Sequence, residues 1–172
     1  LSPEAHMALV LLGRGKAYYN GELLEGAEAL ARAGLEPMEL SSKEGLALVS
    51  GTTSATAMAA LALYDMLNAA KSADIVGAMS LTPDLRPYPT QGDPRVMAVR
   101  PHPDQLNASE NVRRMLKGSG IMEKYRGSRV QDALSLRCIP QLHGAARKTL
   151  EDAKKTIEIE MNSCCDNPII WP

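Results

Sequence analysis

The sequence predicts a mainly α fold: a helical bundle with one small hairpin near its N-terminus and one proline-rich connector. Three observations predict it. Hydrophobic residues make up 45% of the 172 residues but aromatics only 3%, with no Phe and one Trp. Core volume must then come from Ala, Leu, Met, Val and Ile, which suits closely packed helices. Residues 52–81 form a run rich in Ala, Leu and Met with very few charges. After Pro140, the residues Leu142, Ala146, Leu150, Ala153, Ile157 and Met161 recur at steps of three and four, which is one stripe of a helix of about six turns.

The elements follow in order. Ser2, Pro3 and Glu4 supply a cap residue, a first-turn proline and an acid ahead of an apolar run at residues 6–12, so a short helix begins there and ends at Gly13 and Gly15. Asn20 and Gly21 tolerate positive φ and predict a type I′ hairpin, read as a surface ornament. Residues 27–33 form a short helix closed by Gly34. Ser41 and Glu44 have capping-box spacing and introduce residues 45–51. The run at 52–81 is apolar nearly all round, so it is a membrane span or a buried bundle helix. Asp65, Asn68, Lys71 and Asp74 interrupt it, which favours the bundle.

Six of the eleven prolines fall between residues 82 and 103, a density expected to exclude regular helix and to leave a connector. Helix resumes over residues 104–117 and stops at Gly118 and Gly120, and residues 121–129 read as polar and exposed or interfacial. On the last helix, Arg147, Lys148, Glu151, Asp152, Lys155 and Glu158 read as a solvated face with pairs such as Glu151 and Lys155. Pro168 ends it by disfavouring helical geometry at Asn167.

Length and charge narrow the function. A chain of 172 residues has the size of one domain and can bury roughly 70% of its unfolded surface, so residues 1–172 are read as a single helical domain with its connector at about 82–103. The net charge of -1, from 19 basic and 20 acidic residues, leaves no footprint for nucleic acid or a membrane surface. A small molecule or a protein is the expected partner. Cys138, Cys164 and Cys165 lack the spacing of a disulfide framework or a zinc site, so no metal and a reducing, cytoplasmic location are expected. The first residue is Leu, which predicts a processed or excised piece of a longer product. Gly13, Arg14, Gly15 and Lys16 lack the spacing of a phosphate loop. His6, His102 and His143 read as helix-end or surface histidines, and the cysteines as small buried groups.

Arg137 is the strongest candidate for chemistry, at a junction between irregular chain and helix where a guanidinium can clamp a carboxylate bidentately. Spacing alone favours a structural ion pair with an acid such as Asp132. Gln131 fits an amide contact to a ligand or a buried amide satisfying backbone.

A longer pattern bears on that choice. Gln-Asp-x-x-Ser-Leu-Arg-Cys-x-Pro-Gln at residues 131–141, Asp166-Asn167-Pro168, Gly-Leu-Ala-Leu-Val-x-Gly-Thr at 45–52, His6-Met7, Asp93-Pro94-Arg95 and Arg100-Pro101-His102-Pro103 together resemble the histidine/phenylalanine ammonia-lyases, closest to the bacterial histidine enzymes. These use a 4-methylidene-imidazol-5-one (MIO) electrophile. The resemblance is colinear over nearly the whole chain and weakest at 82–92. It implies a helical bundle of the histidine ammonia-lyase type, assembled as a tetramer whose active sites draw on several subunits. It also implies loss of ammonia and a β-proton from an α-amino acid to give an α,β-unsaturated acid. Arg137 would then hold the substrate carboxylate and Gln131 would be an amide beside it.

This sequence departs from the family pattern in three respects. Ala-Ser-Gly, the tripeptide that cyclises to MIO, does not occur in it, so the group is not formable from this chain and the chain is expected to be inactive by itself. The family Asn that supports MIO is replaced by Ser50, and the family Tyr of the Arg137 motif by Leu134. Three readings follow. The chain is part or a subunit of an ammonia-lyase completed by other segments or subunits; it is a non-catalytic structural or regulatory homologue; or it is an unrelated helical binding module.

Overall fold

The computed structural model describes residues 2–81, 93–125 and 133–171. Most of the expected connector, at 82–92, lies outside the described residues, and so do Gln131 and Asp132. Among the described residues the chain is mainly helical with one two-stranded sheet, as the composition predicted. It divides into two compact units, Leu1–Ala59 with Ile157–Pro172, and Ala60–Thr156.

In the first unit, α1 (Ser2–Leu11) leads to an antiparallel hairpin, β1 (Lys16–Tyr19) and β2 (Glu22–Glu25), with Tyr19 paired to Glu22. Asn20 and Gly21 turn it at φ 50 and 86, the positive pair that a type I′ turn needs. The hairpin lies at the surface as expected, with Leu24 its one buried residue. α2 (Gly26–Arg32) leaves β2 without a loop and packs back on both strands, with Ala29 and Leu30 buried. Arg32 ties the two elements, donating to Glu22 at 2.7 Å and to Glu28 at 2.6 Å.

The predicted capping box forms by half. Glu44 accepts the Ser41 N–H at 2.7 Å, but the cap residue is Lys43 at φ 75, and α3 (Glu44–Ala47) is a single turn. Glu4, buried on α1, accepts the Ser54 N–H at 2.9 Å and so ties α1 to the start of α4 (Thr53–Ser80). That backbone hydrogen bond holds the Glu4 carboxyl below its ordinary value.

In the second unit, Ala78, Leu81, Val112 and Ile139 form the core, with Leu116 and Leu136 packed against it. These residues come from α4 and Leu81 just past its end, α6 (Pro103–Leu116), α8 (Leu134–Arg137) and α9 (Ile139–Met161). The expectation that α4 is buried all round is corrected. Leu63, Asp74 and Ala78 are its buried residues, whereas Leu61, Tyr64, Val76 and Met79 are all more than 59% exposed, as their values of 70, 67, 60 and 63% show. The residues that cover α4 here, Val112, Ile139, His143 and Arg147, come from α6 and α9 and leave its other side open.

The face assigned to α9 also changes. Leu142 and Met161 of the apolar stripe are exposed, and the buried positions are Ile139, Pro140 and Gly144. Gly144 decides this. A Cβ there would lie 2.6 Å from Gln105 Cα and 2.7 Å from its nitrogen, so α6 and α9 meet through backbone that only glycine allows. His143 and Arg147 flank that contact and turn inward, so they are neither a surface histidine nor part of a solvated face. The remaining charges pair locally, Lys148 with Asp152 at 2.8 Å. Cys164 is exposed, not the small buried group expected.

Proline density did not exclude helix. α5 (Pro94–Ala98) forms because Pro94 occupies the first turn, where no N–H is needed. Asp93 caps it, accepting the Arg95 N–H at 2.8 Å and pairing with the Arg95 guanidinium at 2.6 Å. α7 (Gly120–Lys124) likewise forms under Ser119, whose hydroxyl accepts the Met122 N–H at 3.4 Å. The Arg95 side chain, then its backbone N–H, pull the Asp93 carboxyl down from 3.8 to about 2. A depressed carboxyl stabilises the fold above its unfolded value and loses that contribution as pH falls from 3.8 through about 2. We expect an NMR titration to place the Asp93 midpoint at about 2, with α5 amide protection lost in that window and the step absent in Asp93→Ala.

Candidate active site

The residues singled out by the sequence lie in both units. In the first, Ser50 ends the turn that continues α3. Its N–H donates to Leu46 O at 2.8 Å, and Gly51 and Thr52 then bend the chain into α4, with Thr56 N–H on Thr52 O at 2.8 Å. Ser50 is half-buried. An apolar cavity of about 210 Å³ lies beside this turn, lined by Ala8 and Leu9 of α1, by Leu12 just past it, and by Leu48 and Val49.

The Asp166-Asn167-Pro168 motif is folded against the same turn. A Cβ on Gly51 would lie 3.7 Å from Cys165 O, and Thr52 Oγ1 donates to Glu160 at 3.4 Å. Lys43 Nζ donates to Asp166 Oδ2. That bond, followed by the Asn167 N–H at 2.8 Å, holds the Asp166 carboxyl below its ordinary value. Two motifs more than a hundred residues apart in sequence therefore meet around Ser50.

In the second unit, Leu134 and Arg137 share the single turn of α8, three residues apart. Leu134 is 63% exposed and Arg137 half-buried. Arg137 N–H donates to Ala133 O at 3.1 Å, Cys138 N–H to Leu134 O at 3.0 Å and Leu142 N–H to Cys138 O at 2.9 Å, so α8 runs into α9 with its backbone bonds satisfied. Leu136 and Ile139, on either side of Arg137, pack into the core. Arg137 is thus carried on a hydrogen-bonded turn anchored in the core, and its planar guanidinium has the shape to meet a carboxylate through two parallel hydrogen bonds. Gln131 and the alternative partner Asp132 lie outside the described residues.

Sequence reasoning passed over one polar cluster. Asp74, 1% exposed, accepts from Asn111 Nδ2 of α6 at 2.7 Å, from His143 Nδ1 of α9 at 2.8 Å, and from Arg147 Nη2 of α9. Arg147 Nη2 also reaches Ala70 O at 3.1 Å. The available signal was Asp74 itself, one of two acids inside an Ala- and Met-rich helix, since a buried carboxylate has to find donors.

Among the described residues no group of three or more His, Cys, Asp or Glu could hold a metal ion, and no helix is long and apolar enough to cross a membrane. The tripeptide Ala-Ser-Gly does not occur within these 172 residues, and Ser50 offers one short hydroxyl that can donate and accept a hydrogen bond.

With this geometry in hand, comparison with known proteins is direct. The profile of a family described as "Aromatic amino acid lyase" matches residues 1–172. "Histidine ammonia-lyase 1" of Fusobacterium nucleatum subsp. nucleatum is 50% identical over 172 residues, covering 99% of this chain and 33% of the relative. The crystal structure of histidine ammonia-lyase from Trypanosoma cruzi superimposes with a TM-score of 0.81 at 32% identity, over 100% of this chain and 32% of that one. The ergothioneine-degrading enzyme Ergothionase from Treponema denticola, in complex with desmethyl-ergothioneine sulfonic acid, gives a TM-score of 0.89 at 29% identity, over 98% of this chain and 34% of that one. The chain thus spans about a third of the length of the curated relatives it matches. By its sequence over all 172 residues and by its helical fold, the chain belongs to the aromatic amino acid lyase family.

Proposed function

We propose that these residues are the central part of a histidine ammonia-lyase-like enzyme that removes ammonia from an α-amino acid to give an α,β-unsaturated acid. The observation that carries this reading is the Arg137 turn, in a chain 50% identical to a relative named histidine ammonia-lyase. In this enzyme MIO would supply the electrophile, and other segments or subunits of a soluble, cytoplasmic, tetramer-like assembly would carry it and the base. The chain's own part is binding and orientation. Arg137 clamps the substrate carboxylate and Gln131 adds an amide contact. Fixing the carboxylate leaves the amino group and the β-carbon at set distances from the reacting groups, which lowers the entropic part of the barrier.

The test is turnover by the full-length protein. Ammonia and a conjugated acid should appear from L-histidine or another α-amino acid, and the intact mass should fall short by the two waters lost on MIO formation. No turnover by an assembly that carries the mass deficit would sink the reading.

The Ser50 and Leu134 substitutions favour a second reading, a non-catalytic homologue. Leu134 presents an exposed apolar group where the family has a phenol, and Ser50 a shorter side chain where it has an amide. One preorganised donor is commonly worth about 10² to 10³ in rate. If the protein catalyses, Ser50→Asn with Leu134→Tyr raises kcat for a family substrate by at least tenfold, roughly the lower end of that effect. If it is a structural homologue, turnover stays at background in both proteins.

A further inference from the structure

We propose that Asp74 and His143 are positioning residues for Arg137, fixing the register of α9 on α4 and α6 and so the place of the turn that carries the carboxylate clamp. The inference rests on the reading of Arg137 as that clamp. α4 is built largely from Ala, Leu and Met, and apolar side chains of that kind pack comparably well after a slide of one helical turn, about 5.4 Å. Asp74 removes that freedom. Its carboxylate takes three donors, one from α6 and two from α9, and a slide of α9 would leave it buried without His143 and Arg147.

His143 adds shape to charge. A carboxylate only accepts, so Nδ1 carries the hydrogen, and the imidazole Cε1 lies 3.6 Å from where a Cβ on Gly77 would be. Ring and carboxylate are therefore fixed together. From His143 back to Arg137 the chain is a satisfied helical path, with Leu142 bonded to Cys138 and Cys138 to Leu134, and Leu136 and Ile139 seated in the core. A shift of α9 at His143, six residues on, is transmitted to Arg137 with no loop to absorb it.

The experiment uses the full-length protein and the variants Asp74→Asn and His143→Gln, with two readouts. Steady-state kinetics on an α-amino acid substrate should give a KM raised roughly ten- to hundred-fold, as expected for a displaced clamp, with a smaller change in kcat. In Arg137→Lys the same Asp74→Asn change should add little, because the clamp it positions is already altered. Hydrogen exchange should speed at least tenfold across residues 134–147 while α1 and the hairpin stay as in the parent. His143→Gln keeps the Asp74–Arg147 pair and gives the same shifts at smaller size, so the inference survives a failure of Asp74→Asn to fold. A merely structural cluster would lower the active fraction, and with it kcat, at unchanged KM. That result, or unchanged exchange over 134–147, overturns the proposal. If the parent shows no turnover, the functional reading fails, and the exchange measurement still decides the register claim.

Discussion

Replacing Arg137 by Ala in the full-length protein is expected to cut kcat/KM for an α-amino acid by roughly 30- to 5,000-fold. The range follows from the 2 to 5 kcal/mol, approximately, lost when one partner of a desolvated, hydrogen-bonded charge pair is removed, at about 1.4 kcal/mol per tenfold. The α8 turn supports the upper part of the range. Its backbone bonds to Ala133 and Leu134 and its neighbours Leu136 and Ile139 hold Arg137 in place before substrate arrives, so little ordering cost is incurred on binding. Arg137→Lys separates charge from geometry. Lysine keeps the charge but offers a point donor in place of a planar fork, so it should recover part of the loss, mainly in KM. Steady-state kinetics on the three proteins measure this. Equal activity in all three would mean that Arg137 serves packing alone.

The second large effect is on stability. Asp74→Ala should destabilise the full-length protein by about 3 to 5 kcal/mol, because it strands a buried cation. Arg147 is 17% exposed and would lose the carboxylate, while His143 and Asn111 would lose their acceptor. A domain is stable by only about 5 to 15 kcal/mol, so the midpoint of denaturant unfolding should fall well below that of the parent. Breaking a surface pair gives the contrast. Lys148 and Asp152 are 68% and 55% exposed, and Lys148→Ala should leave the midpoint close to that of the parent. A compensated variant, Asp74→Leu with Arg147→Met, should regain most of the loss, since apolar replacement of a whole buried pair is often neutral. An unfolding midpoint for Asp74→Ala equal to that of the parent would show that the cluster is solvated in the assembly.

Much of the local structure was legible because local chemistry decides it. Asn20 and Gly21 alone specify the I′ turn, since few other residues accept two successive positive φ angles. The extents of α4, α6 and α9 follow from helical spacing and from prolines and glycines at their ends. The Arg137 and Asp166 motifs could be singled out from residue order, and they carried the family assignment. α5 was lost to counting prolines: Pro94 and Pro103 both sit in a first turn, where the missing N–H costs nothing.

What only the tertiary structure decided is which face meets what. Periodicity groups Leu142, Ala146 and Met161 on one side of α9, but it says nothing about the opposite side. There a glycine at 144 lets α6 come close enough to draw His143 and Arg147 inward. The partners of Asp74 are 37, 69 and 73 residues away, and Lys43 reaches Asp166 across 123 residues. A buried carboxylate demands donors wherever it lies, so the sequence by itself determined that Asp74 needed partners. Which donors reach it depends on how three helices cross, and that is set by backbone contact and packing that no local pattern encodes.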